Sequence, residues 1–233
     1  MFIINREDMY IHIPKTSGTN LRQVFHNSSN DIIDYDEVGK IKNLSISARN
    51  IFWEEIYISD ILEHPFLQLS EVDYLTTKHS PLWVWQKSGD WNDHKIITIV
   101  RNPYTRAVSM CKQVLRLFGV TANQNMSFVD FLSNSTIQSI IDRFPHSYKT
   151  QQVDYIKDIN DVVTIDRFYK METELDQIAK DYNLTDIHTT KYNSGNYSKN
   201  YSEIYNDYLI NWVQKIYADD FEYFGYSIDP FWM

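Results

Sequence analysis

The sequence predicts an α/β protein, a single domain over residues 1–233 in which a central parallel sheet is flanked by helices. Ile96-Ile97-Thr98-Ile99-Val100 is an unbroken, mostly β-branched run, of the kind covered on both faces in parallel sheets. Strand-like and helix-like stretches alternate along the chain, with no internal repeat and no linker rich in Pro, Gly or Ser. Two cation-bearing strings, His12-Ile13-Pro14-Lys15-Thr16-Ser17-Gly18-Thr19-Asn20 and Arg101-Asn102-Pro103-Tyr104-Thr105-Arg106-Ala107-Val108-Ser109, each follow a strand-like run, where open α/β sheets place ligand contacts.

Residues 9–13 read as a short buried strand ending at Pro14. Thr19-Asn20 then open a first helix through Leu21, Val24 and Phe25. Residues 28–75 mix acidic residues with apolar clusters and carry no assignment. After the Ile96–Val100 strand, Asn102 is placed to cap a helix with Pro103 at its first position, running to about Phe118 before Gly119. Asp161-Val162-Val163-Thr164-Ile165 reads as another buried strand, and Glu172 to Tyr182 as a helix with Leu175, Ile178 and Ala179 on one side. Ile204, Tyr205, Tyr208, Leu209, Trp212, Val213, Ile216 and Tyr217 recur at helical spacing, a core stripe rather than a cofactor box.

Hydrophobic residues make up 43% of the chain and aromatic residues 15%, enough for a folded core. The net charge of -9 disfavours broad binding to nucleic acid or anionic membranes, so an anionic ligand has to be held by local positive groups. Cys111 is the one cysteine, which rules out an internal disulfide. No basic, apolar leader precedes the first strand, and no window reaches the roughly 18 apolar residues of a membrane span; a soluble, cytoplasmic protein is expected. His26, His64, His94, His146 and His188 show no metal-ligand spacing with one another or with Cys111, so no metal is expected.

A strand, a turn and a helix around Lys15-Thr16-Ser17-Gly18-Thr19 have the geometry of a phosphate cradle, in which backbone N–H groups and the helix dipole converge on an anion. Gly18 permits close backbone approach, Thr16, Ser17 and Thr19 add hydroxyl donors, and Lys15 supplies a point charge for a leaving oxygen. The lysine precedes a single glycine, unlike the G-x-x-x-x-G-K-[ST] loop of nucleoside triphosphatases. In the second string, Arg101 offers a planar fork and Ser109, about two turns along the helix, a hydroxyl. Arg106 can serve a ligand or an ion pair within the fold, and the second role is favoured.

The two strings, in this order, resemble the 5′-phosphosulfate loop (P-K-T-x-G-T) and the 3′-phosphate signature (R-[ND]-P-x-x-R-x-x-S) of the sulfotransferase superfamily. Lys78-His79-Ser80-Pro81 stands before the Arg101 strand at about the distance of the catalytic histidine segment of the uronyl 2-O-sulfotransferase branch. Leu115-Arg116-Leu117-Phe118-Gly119 is similar to that branch's sequence after the 3′-phosphate helix. Gln152-Val153-Asp154-Tyr155-Ile156 and Tyr217-Ala218-Asp219-Asp220-Phe221-Glu222-Tyr223-Phe224-Gly225-Tyr226 are similar to the family's Q-x-x-[YF]-[IL] and closing Y-x-x-D-F-x-x-F-G-Y segments. The chain departs from the eukaryotic Golgi members in lacking an N-terminal anchor and in its short length, which points to a compact enzyme and leaves the acceptor open.

The resemblance implies a P-loop-like sulfotransferase fold and transfer of the sulfuryl group of 3′-phosphoadenosine 5′-phosphosulfate (PAPS) to an acceptor hydroxyl, of a glycan or glycoconjugate, releasing adenosine 3′,5′-bisphosphate (PAP) without a metal. Lys15, Thr16, Ser17, Gly18, Thr19, Asn20, Arg101 and Ser109 would then hold the donor, with Lys15 and His79 catalytic. A histidine near its unperturbed pKa of ~6.5 suits removal of the acceptor proton at neutral pH. His12, within the first strand, is a weaker candidate for that proton. Trp83, Trp85 and Trp91 fit core packing better than a sugar-stacking wall, and Lys191, Asn193, Ser194 and Lys199 form a late basic loop. A P-loop-type kinase and a non-catalytic nucleotide-binding module of the same fold are the competing readings; the kinase is disfavoured by the missing Gly-Lys-[ST] and by the absence of a Mg²⁺ carboxylate after a strand.

Overall fold

The structure, a computed structural model, describes residues 2–16, 18–28, 31–34, 81–88, 93–117, 127–135, 149–185, 187 and 201–230. In chain order the regular elements are β1 (Phe2–Ile4), β2 (Asp8–Ile11), α1 (Gly18–His26), β3 (Ile32–Asp34), α2 (Leu82–Ser88), β4 (Lys95–Val100), α3 (Pro103–Leu117), α4 (Phe128–Ser133), β5 (Arg167–Lys170), α5 (Leu175–Asp181), α6 (Asp207–Ile216) and α7 (Ala218–Phe224). The strands form one five-stranded sheet in the order β3-β1-β2-β4-β5.

The expected parallel centre is present: β4 runs parallel to β2 on one side and to β5 on the other. β1 was not expected. It pairs antiparallel with both β2 and β3, so the sheet is mixed at that edge. Asn5 and Arg6, both with positive φ (51° and 60°), make the tight hairpin turn that reverses the chain, closed by Glu7 N–H onto the Ile4 carbonyl at 3.1 Å.

Strand side chains alternate between faces, and both faces of the sheet are buried. Met9, Ile11, Ile96 and Val100 meet Leu82 and Trp85 of α2 and Phe224 of α7. Tyr10, Ile97 and Ile99 meet Leu21, Val24 and Phe25 of α1 and Ile178 of α5. Thr98, fully buried within the apolar run, donates its hydroxyl to the Ile11 carbonyl at 2.7 Å, which meets the requirement that a buried polar group be paired. A third cluster joins α3, α4, α6 and α7 through Tyr104, Phe131, Leu209, Val213, Tyr217 and Phe221. The late stripe read from the sequence thus packs inward at Leu209, Val213 and Tyr217, whereas Tyr208 is exposed.

The strand expected at Asp161–Ile165 lies elsewhere. Asp158 Oδ1 accepts from the N–H groups of Asn160 and Val162 at 2.8 and 2.9 Å and bends this stretch into a turn. Val163 makes only an isolated bridge to Lys157, and the fifth strand starts at Arg167. Its sequence, Arg-Phe-Tyr-Lys, is half-polar, which suits its place at the edge of the sheet among the described residues. The helix read from Glu172 starts at Leu175.

Candidate functional site

Because β2 and β4 are parallel neighbours, with Ile11 opposite Thr98, their carboxyl ends open on the same edge of the sheet. The chain leaving β2 supplies Lys15 and Thr16, and the chain leaving β4 supplies Arg101. β5 lies beside β4 in the same direction, so Glu172 arrives at that edge too.

The first loop is held in shape by its own side chains. Thr16, expected from the sequence to offer its hydroxyl to an anion, is fully buried and donates that hydroxyl to the Ile13 carbonyl at 2.9 Å. Lys15, half-buried, adopts a left-handed conformation (φ 69°), and Gly18, the residue expected to permit close backbone approach, is the first residue of α1. A non-glycine residue at positive φ costs on the order of 1 kcal/mol or more, a local strain that recurs at ligand-binding turns. Thr19 and Asn20 follow Gly18 in the first turn of α1, and Ser17 lies outside the described residues.

The second segment is ordered by an N-cap. Asn102 accepts from Tyr104 N–H through Oδ1 at 3.0 Å, and Pro103 opens α3, as the sequence predicts. Arg101 donates from Nε to the Thr105 hydroxyl at 2.8 Å and from Nη1 to the Lys15 carbonyl at 3.2 Å, so its guanidinium spans the two loops. Glu172 backs this arrangement. Its Oε1 accepts from Asn102 N–H at 2.9 Å and lies 3.3 Å from the Thr105 hydroxyl, and its Oε2 accepts from Tyr226 at 3.0 Å.

Thr105, Ser109 and Lys112, at spacings of four and three, share one face of α3. Ser109 and Lys112 are half-buried. Burial pushes the Lys112 ammonium below its ordinary value, and the charge of nearby Arg101 pushes it further, against an opposing effect of Cys111. Three cationic residues, Lys15, Arg101 and Lys112, therefore gather at one sheet edge of an acidic protein.

Behind them lies a buried bracket. Arg106, 1% exposed, donates from Nε to the Pro14 carbonyl at 3.3 Å and from Nη1 to the Thr150 carbonyl at 3.0 Å, and stands over the Tyr217 ring. Its charge faces Asp220, Nη1 to Oδ2 3.8 Å, which agrees with the role within the fold favoured for it. Asp220 Oδ1 accepts from Val153 N–H at 2.9 Å, and Oδ2 from Gln152 Nε2 at 3.2 Å. Burial pushes the Asp220 carboxyl up, and Arg106 with the amide donors pulls it back. Gln152 in turn engages both backbone groups of Arg101, each at 2.8 Å.

Gln152, Glu172, Asp220 and Lys112 were not singled out from the sequence. Lys112 follows from helical spacing after Ser109; Gln152 and Asp220 lie inside the two segments that resemble the family's Q-x-x-[YF]-[IL] and closing sequences, which by themselves mark no role for either. His79, Trp91 and the loop of Lys191, Asn193, Ser194 and Lys199 lie outside the described residues. Trp85 is buried in the core and Trp83 is half-buried beside it on α2. His12 is 6% exposed, its ring 6.2 Å from that of Tyr10. Among the described residues no group of three His, Cys, Asp or Glu is placed to hold a metal ion, and no helix is long and apolar enough to cross a membrane.

Residues 2–227 match the model of the sulfotransferase family, a span that takes in both loops, α3 and the Gln152 and Asp220 segments. No curated protein and no solved structure gives a significant match.

Proposed function

The chain belongs to the sulfotransferase family, and on that premise we propose that it moves the sulfuryl group of PAPS to a hydroxyl of a carbohydrate, as a soluble, cytoplasmic enzyme of the uronyl 2-O-like type. The supporting observation is the bond from Arg101 Nη1 to the Lys15 carbonyl, which brings side by side the two segments that this reading assigns to anions. A donor with a 5′-phosphosulfate and a 3′-phosphate on one ribose asks for two such segments at short separation.

In this reading Arg101, Ser109 and Lys112 take the 3′-phosphate: a planar fork, a hydroxyl and a second cation. The Lys15 loop and the start of α1, including Thr16, Ser17, Gly18, Thr19 and Asn20, take the 5′ group, Thr16 by holding the loop's shape. The acceptor oxygen attacks sulfur in line as the bond from sulfur to the 5′-phosphate oxygen breaks. The electron pair of that bond stays on the departing bisphosphate, where Lys15 neutralises the growing charge. His79 takes the acceptor proton. Geometry and charge stabilisation are enough for this transfer, as in phosphoryl transfer, and a leaving group that is already a phosphate needs no metal.

The test is calorimetric titration of the protein with PAP, with ADP and ATP·Mg²⁺ as controls. Binding that requires the 3′-phosphate and weakens in Arg101→Ala is expected. Preference for ATP·Mg²⁺ overturns the reading in favour of a kinase. Sulfate transfer from PAPS to a panel of glycan, peptide and small-molecule hydroxyls then tests the carbohydrate assignment, which fails if only non-carbohydrate acceptors are used.

A further inference from the structure

We infer that Asp220 is a positioning residue that sets the spacing between the two anion-binding segments, acting through Gln152 on one side and Arg106 on the other. The inference rests on the donor reading above and adds a requirement that reading does not contain: a residue from the end of the chain, touching no ligand, governs how well both anions of one ligand are held at once.

The need for such a residue follows from where the sheet stops. Pairing of β2 with β4 ends at Ile11 and Thr98, and both anion-binding segments lie beyond it. At the surface they are joined by the Arg101–Lys15 bond, which uses the same guanidinium that a phosphate would engage. Beneath it they are joined by the buried bracket. Arg106 holds the first loop by the Pro14 carbonyl, and Gln152 holds the second by both backbone groups of Arg101. Asp220 is where the two holds meet, 3.2 Å from Gln152 Nε2 and 3.8 Å from Arg106 Nη1. All three side chains are buried, Arg106 at 1% exposure and Gln152 and Asp220 at 0%, so water is poorly placed to replace a lost partner.

Removing the Asp220 charge leaves a buried guanidinium without its counter-charge, and such a cation moves toward solvent or another acceptor. Pro14 then loses its donor and the first loop shifts relative to Arg101. A ligand that carries one anion adapts to either loop. A ligand that carries two on a rigid nucleoside gains its second contact only if the spacing matches, because that contact forms at an effective concentration set by geometry.

The test compares three probes, PAP, adenosine 5′-monophosphate and adenosine 3′-monophosphate, on the full chain and on two variants, Asp220→Asn and Gln152→Met. Asp220→Asn keeps the acceptor for Val153 N–H and removes the charge; Gln152→Met cuts the link to Arg101 and leaves the ion pair. Binding is measured by calorimetry below the unfolding temperature, with circular dichroism confirming the fold. A loss of about tenfold or more in PAP affinity, with each monophosphate changed less than about twofold, is expected in both variants. Equal losses for all three probes, or none, overturn the inference, because a merely structural role does not distinguish one anion from two. If Asp220→Asn does not fold, Gln152→Met carries the comparison alone. Wild-type protein that binds PAP no better than the monophosphates contradicts the donor reading itself, a result separate from either variant's.

Discussion

Arg101 and Lys15, 86 residues apart in the chain, meet side chain to backbone: Nη1 of the arginine donates to the lysine carbonyl at 3.2 Å. The contact depends on two local features. The left-handed conformation of Lys15 sets the direction of the turn, and Thr105 fixes the other side of the guanidinium through Nε. The guanidinium is thereby held by the protein's own groups, and in the donor reading proposed above this preorganisation lowers the entropy lost on binding.

Arg101→Ala is expected to weaken PAP binding by about 1.5–3 kcal/mol, the range for hydrogen bonds to a charged group. Arg101→Lys keeps the charge but not the fork held by Thr105, and recovers less than half of that loss. Calorimetric titration of both variants checks this.

Lys15→Gly separates strain from charge. Glycine relieves the positive φ, so folding stability stays level or rises by up to about 1 kcal/mol, offset in part by the entropy of the unfolded chain. Turnover is expected to fall by about a hundredfold or more with the loss of charge at the leaving oxygen. Thermal melting and initial rates read the two effects separately.

The Lys112 ammonium has a pKa lowered from 10.5 in the folded protein by burial and by Arg101. Only its charged form attracts phosphate, so PAP affinity is expected to fall as pH rises through that lowered value. Lys112→Met removes this part of the alkaline decline and lowers neutral-pH affinity by about three- to tenfold. A pH series on wild type and variant tests both effects; parallel declines in the two proteins count against Lys112.

Arg106→Met leaves Asp220 buried without its cation and is expected to cost about 3–5 kcal/mol of stability near neutral pH. The carboxyl, already raised from 3.8 by burial, then rises further. A carboxyl whose folded pKa exceeds its unfolded one binds its proton more tightly when folded, so its contribution is fully present below the unfolded value and is lost as pH rises through the folded value. The deficit relative to wild type therefore shrinks on acidification, which denaturant unfolding at about pH 5 and about pH 7 measures.

His79→Ala is expected to reduce turnover by about 10²- to 10⁴-fold while PAP binding is retained. Near-normal turnover with intact binding removes His79 from the mechanism.

What the sequence by itself determined are features with a local cause. The Ile96–Val100 run needs both faces covered wherever it lies, and it forms β4 with Ile96 to Val100 buried. Asn102-Pro103 starts a helix because a side-chain acceptor and a fixed φ act within one turn. The Lys15 and Arg101 strings and their order were legible for the same reason, since each is a contiguous segment leaving a strand. Tertiary structure alone decided the rest. The apolar run at Asp161–Ile165 lost to a turn built by Asp158, and the half-polar Arg167–Lys170 became the strand because an open place beside β4 supplied its hydrogen-bond partners. Gln152, Glu172 and Asp220 carry no local pattern that marks them; their side-chain hydrogen-bond partners lie 51 to 70 residues away in the chain, and Arg106, the charge that Asp220 faces, lies farther still. A buried charge acquires its role from what it faces, and only the folded chain brings Asp220 to the side chains that hold the Pro14 and Arg101 segments.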